Sequence, residues 1–290
     1  MPQPLMNIFH DLYISRSASG AWLRALETVV ECGAPIAPRA KPCREILHAT
    51  SVLPMAQPVV TIAERKLAYS FAAAEALAIL AGDARVTALA PYAPRIADFS
   101  DDGVSFSGAY GPPVVEQLPY VLRSLVADRD TRQAWLTIWR PSPPPSRDIP
   151  CTIALGFMIR AGWLNVHAYM RSSDVWLGLP YDMFTFSMIG ARVACEYNRT
   201  VPERPVALGH LFLTAASSHL YEMNAAAANN VLTHRIIGAR DAIQSRSQPV
   251  PEDTIRLGHW DLIETALIAC RDKSETEAFT DVAEHWRIRP

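Results

Sequence analysis

Residues 150–184 read PCTIALGFMIRAGWLNVHAYMRSSDVWLGLPYDMF. Two apolar runs rich in β-branched and aromatic residues, Ile153–Ile159 and Trp163–Tyr169, flank Arg160-Ala161-Gly162. A short glycine-containing turn between two such runs predicts a β-hairpin. The second run delivers Arg171, Ser172, Ser173 and Asp174. The stretch Leu177-Gly178-Leu179-Pro180-Tyr181-Asp182 then turns the chain into a helix, with Pro180 suited to its first turn. One hairpin thus gathers a thiol (Cys151), an arginine suited to phosphate (Arg171) and two carboxylates (Asp174 and Asp182).

Downstream, Tyr181–Tyr197 is apolar on most sides and predicts a buried helix. Val206–Thr214 predicts a strand leading into Ser217-Ser218-His219-Leu220-Tyr221, and Trp260–Cys270 a helix. Upstream, Ser17–Cys32 has helical apolar spacing through Trp22, Leu26, Val29 and Val30, with Gly33 as a stop. The following APRAKPCREIL is interrupted by proline and reads as a basic arm, about residues 33–50, carrying Arg39, Lys41 and Arg44. Phe71–Ala81 predicts an apolar helix whose single charge is Glu75. A carboxylate on such a helix needs a partner, a raised pKa or a task. A short strand is expected at Val104–Phe106, a helix at Val114–Asp128, a strand at Gln133–Trp139 and a linker at Pro141–Pro145.

The chain has 290 residues, half of them hydrophobic, and a formal net charge of −2. That is enough for one large domain with a sizeable core. It gives no global attraction to nucleic acid or to an anionic membrane, so any anion site must be local. No apolar run is long enough to span a bilayer. The N-terminal stretch lacks a basic segment followed by an apolar core, as a secretory signal would have. Five scattered cysteines form no disulfide framework, and no Cys-x-x-Cys pair suggests zinc or another metal. A reducing, cytoplasmic setting is expected.

The motifs resemble the thymidylate synthase family, whose signature runs roughly P-C-H, then R-S-x-D-x-x-L-G-L-P-[FY]-N. Cys151 and Arg171 stand twenty positions apart, and Asp182 eleven further on, as in that signature. Two letters depart: Thr152 replaces the histidine, and Asp182 replaces the asparagine, the latter as in the cytidylate hydroxymethylase branch. The resemblance implies an α/β (α+β) fold with a large mixed sheet and surrounding helices. It implies a single domain over residues 1–290, with a catalytic core at about 68–225 and a divergent C-terminal region. The ending WRIRP does not match the short apolar tail usual in the family.

The roles implied by the resemblance are these. Cys151 is the nucleophile, Glu75 moves protons around the pyrimidine, Tyr110 is the active-site tyrosine, and Asp182 reads the base. Phosphate is held by Arg39, Arg171, Ser172 and, across a homodimer with shared active sites, Arg132; Asp130-Thr131-Arg132-Gln133 is similar to the family's D-S-R-R. His219 and Tyr221 hold the sugar. Asp174, Gly178 and Tyr181 lie towards 5,10-methylenetetrahydrofolate. The partners expected are a pyrimidine nucleoside monophosphate, folate and a second copy of the chain, without nucleic acid or membrane. Thiolate addition at C6 makes C5 nucleophilic towards a one-carbon electrophile, and cationic Arg171 is expected to help the thiol ionise.

Against cytosine, a carboxylate at 182 accepts from the 4-amino group and from protonated N3, whereas an asparagine amide would suit uracil. Water capture gives a hydroxymethyl product. The absence, near Ala97, of the tryptophan that thymidylate synthases place by the nucleotide favours that outcome. Folate-dependent 5-hydroxymethylation of dCMP is therefore expected. The alternatives are ribo-CMP as substrate, C5-methylation of dCMP or dUMP, and a non-catalytic nucleotide- or RNA-binding relative.

Overall fold

The computed structural model describes residues 14–237 and 250–273. In chain order the elements begin α1 (Ala18–Cys32), β1 (Ala34–Ile36), β2 (Cys43–Pro54), α2 (Tyr69–Leu80) and α3 (Gly111–Ala127). Then come β3 (Trp135–Thr137), β4 (Thr152–Arg160), β5 (Trp163–Met170), β6 (Ser173–Asp174) and α4 (Leu179–Thr200). The chain continues through β7 (Ala207–Tyr221), α5 (Glu222–Ile237), α6 (Glu252–Arg256) and α7 (Trp260–Asp272). The described strands form one mixed sheet in the order β1-β2-β7-β5-β4-β3, with β6 beside β7. Strand β7 runs parallel to β5 and β6, and the other pairings are antiparallel. This is the α/β fold with a mixed sheet and surrounding helices that the resemblance implies.

The hairpin pairs in one register from Arg160↔Trp163 to Ala154↔Tyr169, and the register shifts by one residue before Thr152↔Met170. Ala161 and Gly162 take φ of 49° and 84°. Positive φ at both central residues is what a tight two-residue turn between twisted strands requires, and glycine supplies it without steric cost.

Helix α4 lies in the middle of the core, with Met183, Phe186, Met188, Ile189, Ala191 and Ala194 all buried. Its polar groups are answered internally. Asn198 donates to the carbonyls of Val206 (2.9 Å) and Ile255 (2.7 Å) and accepts from Val206 N at 2.7 Å. One amide thus ties α4 to the start of β7 and to α6. Helix α1 is fixed in the same way, by Trp22 Nε1 donating to the Val175 carbonyl at 2.6 Å.

Several boundaries differ from expectation, each for a local reason. β7 does not stop at Thr214. It continues through His219 to Tyr221 because β2 pairs with it from Pro54↔His210 to Cys43↔Tyr221, so neighbouring backbone outweighs the poor strand propensity of Ser217 and Ser218. By the same pairing, much of the expected basic arm is strand, and only a short stretch around Arg39 is irregular. α3 begins earlier, at Gly111, with Pro112 and Pro113 in the first turn, where a missing N–H costs nothing. α2 begins at Tyr69, with the free N–H of Ala68 donating to the Tyr181 hydroxyl at 3.2 Å. No strand forms at Val104–Phe106. The Asp102 carboxylate accepts from the N–H of Val104 and Ser105 (2.8 Å each), which leaves a turn with one isolated Arg85–Ser105 bridge. β3 is limited to three residues, because only Trp135–Thr137 pair with β4. The C-terminal WRIRP and the first residues of the chain lie outside the described residues.

Asn198→Ala would leave the N–H and C=O of Val206 without the side chain that answers them, while the Ile255 carbonyl keeps Gly258 N at 3.1 Å. Each such group costs about 1–3 kcal/mol. Denaturant unfolding should show a loss of about 3 kcal/mol or more, against a small change for an exposed control such as Thr200→Ala.

Candidate active site

Cys151 sits at the mouth of the hairpin, just before β4, partly exposed. Its carbonyl accepts from Arg171 N at 2.8 Å. The Arg171 side chain donates to the Pro150 carbonyl (2.9 Å), the Ile149 carbonyl (2.8 Å) and the Ser172 hydroxyl (3.0 Å). The guanidinium therefore braces the two residues before the cysteine. The Ser172 hydroxyl donates to Cys151 Sγ at 3.6 Å, a contact not expected from sequence, which placed Ser172 on phosphate only. Thr152, fully buried, donates its N–H to the Tyr110 hydroxyl at 3.2 Å. Tyr110 in turn is set by the loop before α3. The Asp148 carboxylate accepts from Gly108 N at 2.7 Å, and a Cβ at 108 would stand 2.5 Å from the Asp148 carbonyl oxygen. Only glycine permits that approach, which joins the tyrosine's loop to the segment leading into Cys151.

A carboxyl group approaches the same place from each of three elements. Glu75 from α2 accepts from the Thr185 hydroxyl of α4 at 3.1 Å. Burial pushes Glu75 up to about 7, against the downward pull of that hydrogen bond. Asp182, in the first turn of α4, is raised well above the usual carboxylate range by burial and then by the charges of Glu75 and Asp174. Asp174, on β6, accepts from Trp176 N (2.8 Å) and Leu177 N (2.9 Å) through Oδ1. Its Oδ2 is buried with no hydrogen-bond partner. Burial raises Asp174 too, outweighing those two bonds and the attraction of His219 and Arg65. The phenol of Tyr110 is raised by burial and by the negative fields of Asp182 and Cys151, so it faces both.

The sugar and phosphate candidates line the other side. His219 lies beside Asp174 in the β6–β7 register, and its ring is 5.1 Å from that of Tyr221. Burial lowers its pKa; Asp174 and Glu45 oppose the shift, and Arg171 and Arg39 reinforce it. Arg39 is exposed at φ 53°, on the short irregular stretch between β1 and β2. Gly178 precedes α4, and its carbonyl accepts from Tyr181 N and Asp182 N. The structure thus gathers Cys151, Tyr110, Glu75, Asp182, Asp174, Gly178, Tyr181, Arg171, Ser172, His219, Tyr221 and Arg39 in one region. Arg132 is apart from them: it is exposed on the α3–β3 loop, and its side chain makes no hydrogen bond to the others.

Three neighbours escaped the sequence reading. Arg65 is a buried cation that donates twice to the Trp176 carbonyl, at 3.0 and 2.6 Å, and lies 4.9 Å over the Trp176 ring. Nothing in its local AERK setting marks it as buried. Thr185 had a signal, since it stands three residues after Asp182 on the same helical face. Asp148 had none, because its partner is forty residues away.

These features describe an α/β protein in which a partly exposed thiol, a tyrosine and three clustered carboxyl groups share one site. The chain belongs to the thymidylate synthase family: the family model so described matches residues 21–240. It is 28% identical over 255 residues to a deoxyuridylate hydroxymethyltransferase of Bacillus phage SP01, covering 80% of this chain and 64% of that protein. It is 32% identical over 155 residues to a deoxyuridylate hydroxymethyltransferase of Pseudomonas phage M6, covering 50% of this chain and 44% of that protein. The chain therefore spans less than two thirds of the length of these curated relatives.

The raised Glu75 has a consequence for stability. A carboxyl whose pKa rises from 4.5 unfolded to about 7 folded supports folding fully below the lower value, and that support is lost as pH climbs through the higher one. At about pH 8 the ionised form costs about 2–3 kcal/mol. Glu75→Gln should therefore be more stable than the unmodified protein at pH 8 by that amount and nearly equal to it at about pH 4.5, as read from urea midpoints.

Proposed function

We propose that this protein is a one-carbon transferase that hydroxymethylates C5 of a cytidine monophosphate, dCMP in the first instance, using 5,10-methylenetetrahydrofolate. The observation that carries this reading is the convergence on one site of Cys151, Tyr110, Glu75 and Asp182. A nucleophile, a proton handler and a base reader are the groups that C6 addition and C5 substitution require.

In this reading the Cys151 sulfur, hydrogen-bonded by Ser172, adds to C6. Asp182 faces the N3 and C4 edge and meets the charge that addition places there. Glu75, poised near neutral pH, can accept and return a proton within one cycle. Arg39, Arg171 and Ser172 hold the phosphate, and His219 and Tyr221 hold the sugar. The folate supplies the one-carbon unit at the oxidation level of formaldehyde. The buried, unpartnered Oδ2 of Asp174 fits such a group, since it wants an N–H donor of the kind a pterin ring carries, and Gly178 and Tyr181 lie beside it. A second reading, hydroxymethylation of deoxyuridylate, is favoured by the activity for which the two phage relatives are named.

Arg132 supports a homodimer with shared sites, because it stands away from its own cluster. The sheet also presents a face without full cover. Thr50 and Thr214 pair through their hydroxyls there at 3.0 Å, and Tyr169, 45% exposed, stacks on Trp135. A second copy packed on that face would bring its own Arg132 to the partner's phosphate.

The test is to incubate the protein with methylenetetrahydrofolate and each of dCMP, CMP and dUMP, and to read the products by mass. A gain of one hydroxymethyl group on dCMP is expected, and Cys151→Ala should abolish it while nucleotide binding persists. A methyl product, or full activity without the thiol, would overturn the reading.

Assembly is tested separately. Cys151→Ala and Arg132→Ala chains, each nearly inactive alone, should regain about a quarter to a half of the activity when mixed under subunit exchange. No recovery despite demonstrated exchange would remove the shared site.

A further inference from the structure

Strand β7 enters the site with alternating exposure. Ser217, His219 and Tyr221 are half-buried, and Ser218 and Leu220 between them are buried. Alternation of this kind puts the three half-buried side chains on one face of the strand. β2 places a fourth beside them. Glu45, also half-buried, stands directly opposite His219 in the β2–β7 register. Opposed residues of an antiparallel pair hold their Cβ atoms about 5 Å apart on the same face. On the other side of His219 stands Asp174, its partner in the β6–β7 register. A row of Glu45, His219 and Asp174 therefore crosses three strands. The Glu45 carboxylate is aimed by one bond: its Oε1 accepts from the hydroxyl of Ser217, which lies diagonally across on β7. No other hydrogen bond or ion pair reaches Glu45 among the described residues, and its charge is felt at the His219 ring without the two being paired.

A sugar hydroxyl has one proton to donate and two lone pairs to offer. An imidazole N–H at 219 and a phenol O–H at 221 both donate, so a hydroxyl held by that pair alone keeps its own proton unanswered. A carboxylate only accepts, and Glu45 supplies one on the same face. Asp174 is less suited to the task. Its Oδ1 already accepts two backbone N–H bonds, and its Oδ2 is buried. In dCMP the 3′-hydroxyl is the sugar's only free hydroxyl, the 5′ position being esterified.

We propose that Glu45 is a third sugar-reading residue, whose carboxylate accepts the proton of the nucleotide's 3′-hydroxyl while His219 and Tyr221 donate to its oxygen, and that Ser217 aims it. The proposal rests on the nucleotide reading above and deepens it at the sugar. An acceptor-only group at this place favours a free hydroxyl over both hydrogen and a phosphate ester. Hydrogen leaves the three side chains with nothing to bind, and a site built to hydrogen-bond a hydroxyl rejects the analogue that lacks it. A 3′-phosphate sets a second anion against the carboxylate, and like charges at such distances repel.

The test uses Cys151→Ala protein, so that binding is read by calorimetry without covalent addition. Three nucleotides are compared: dCMP, 2′,3′-dideoxycytidine monophosphate and deoxycytidine 3′,5′-bisphosphate. Adding Glu45→Ala should weaken dCMP by about tenfold or more and leave the dideoxy nucleotide within about twofold. Ser217→Ala, which removes the aiming bond and keeps the acceptor, should give the same split at about threefold. A carboxylate that merely braced β2 on β7 would weaken both nucleotides by one factor, and that result would overturn the proposal while leaving the nucleotide reading standing. Glu45→Gln keeps the size of the side chain and removes its charge, so it tests the same point without opening the fold. It should improve the affinity for the bisphosphate relative to dCMP by about tenfold. An unchanged ratio would overturn the proposal as well. Failure of dCMP to bind the Cys151→Ala protein would overturn the functional reading, and the proposal with it.

Discussion

Helix α4 is buried along nearly its whole length, so every polar group it carries inward must be answered by another part of the chain. At its C-terminal end Asn198 does this completely, with both amide groups matched by backbone. In the middle Ser187 donates to the Met183 carbonyl at 2.7 Å. At the N-terminal end Thr185 satisfies Glu75, while Asp182 is left without a donor. The helix is therefore rigid and satisfied where it supports the fold.

The hairpin depends on that helix for its position, and the site depends on the hairpin. β5 packs on α4 and pairs with β7, which brings the Arg171 backbone to the Cys151 carbonyl and His219 to Asp174. Tyr110 arrives from a different direction, held by Thr152 N on one side and by the Gly108–Asp148 contact on the other. The thiol is thus fixed by backbone bonds on strands and loops that converge, and side-chain adjustment alone could not displace it. Such placement on rigid elements is what the proposed covalent step would demand, since misplacement of about 1 Å costs roughly two powers of ten in rate.

Electrostatically, the site separates its charges. The carboxyl groups Glu75, Asp174 and Asp182 occupy the inner end, where burial raises the pKa of each. The arginines Arg39 and Arg171 stand at the outer end, where a phosphate would sit. The nucleoside monophosphate proposed as substrate would match that gradient, with a dianion at one end and a neutral, hydrogen-bonding base at the other. Net charge did not reveal this, because a total over the chain carries no positions.

The sequence by itself determined the parts governed by neighbours along the chain. The hairpin turn at Ala161-Gly162, the helices α1, α2, α4 and α7, and the spacing of Cys151, Arg171 and Asp182 all follow from local periodicity, from glycine and proline, and from a long motif. Tertiary structure alone decided what distant segments do to one another. β7 extends to Tyr221 because β2 offers its backbone. Val104–Phe106 fails as a strand because Asp102 captures its N–H groups. Ser172 meets the sulfur because Arg171 is drawn onto Pro150. The protonation of Glu75 and Asp182 belongs to this second class. A carboxyl's charge is set by desolvation and by its nearest charges, and here those come from α2, β6 and α4, segments that only the folded chain brings within reach of one another.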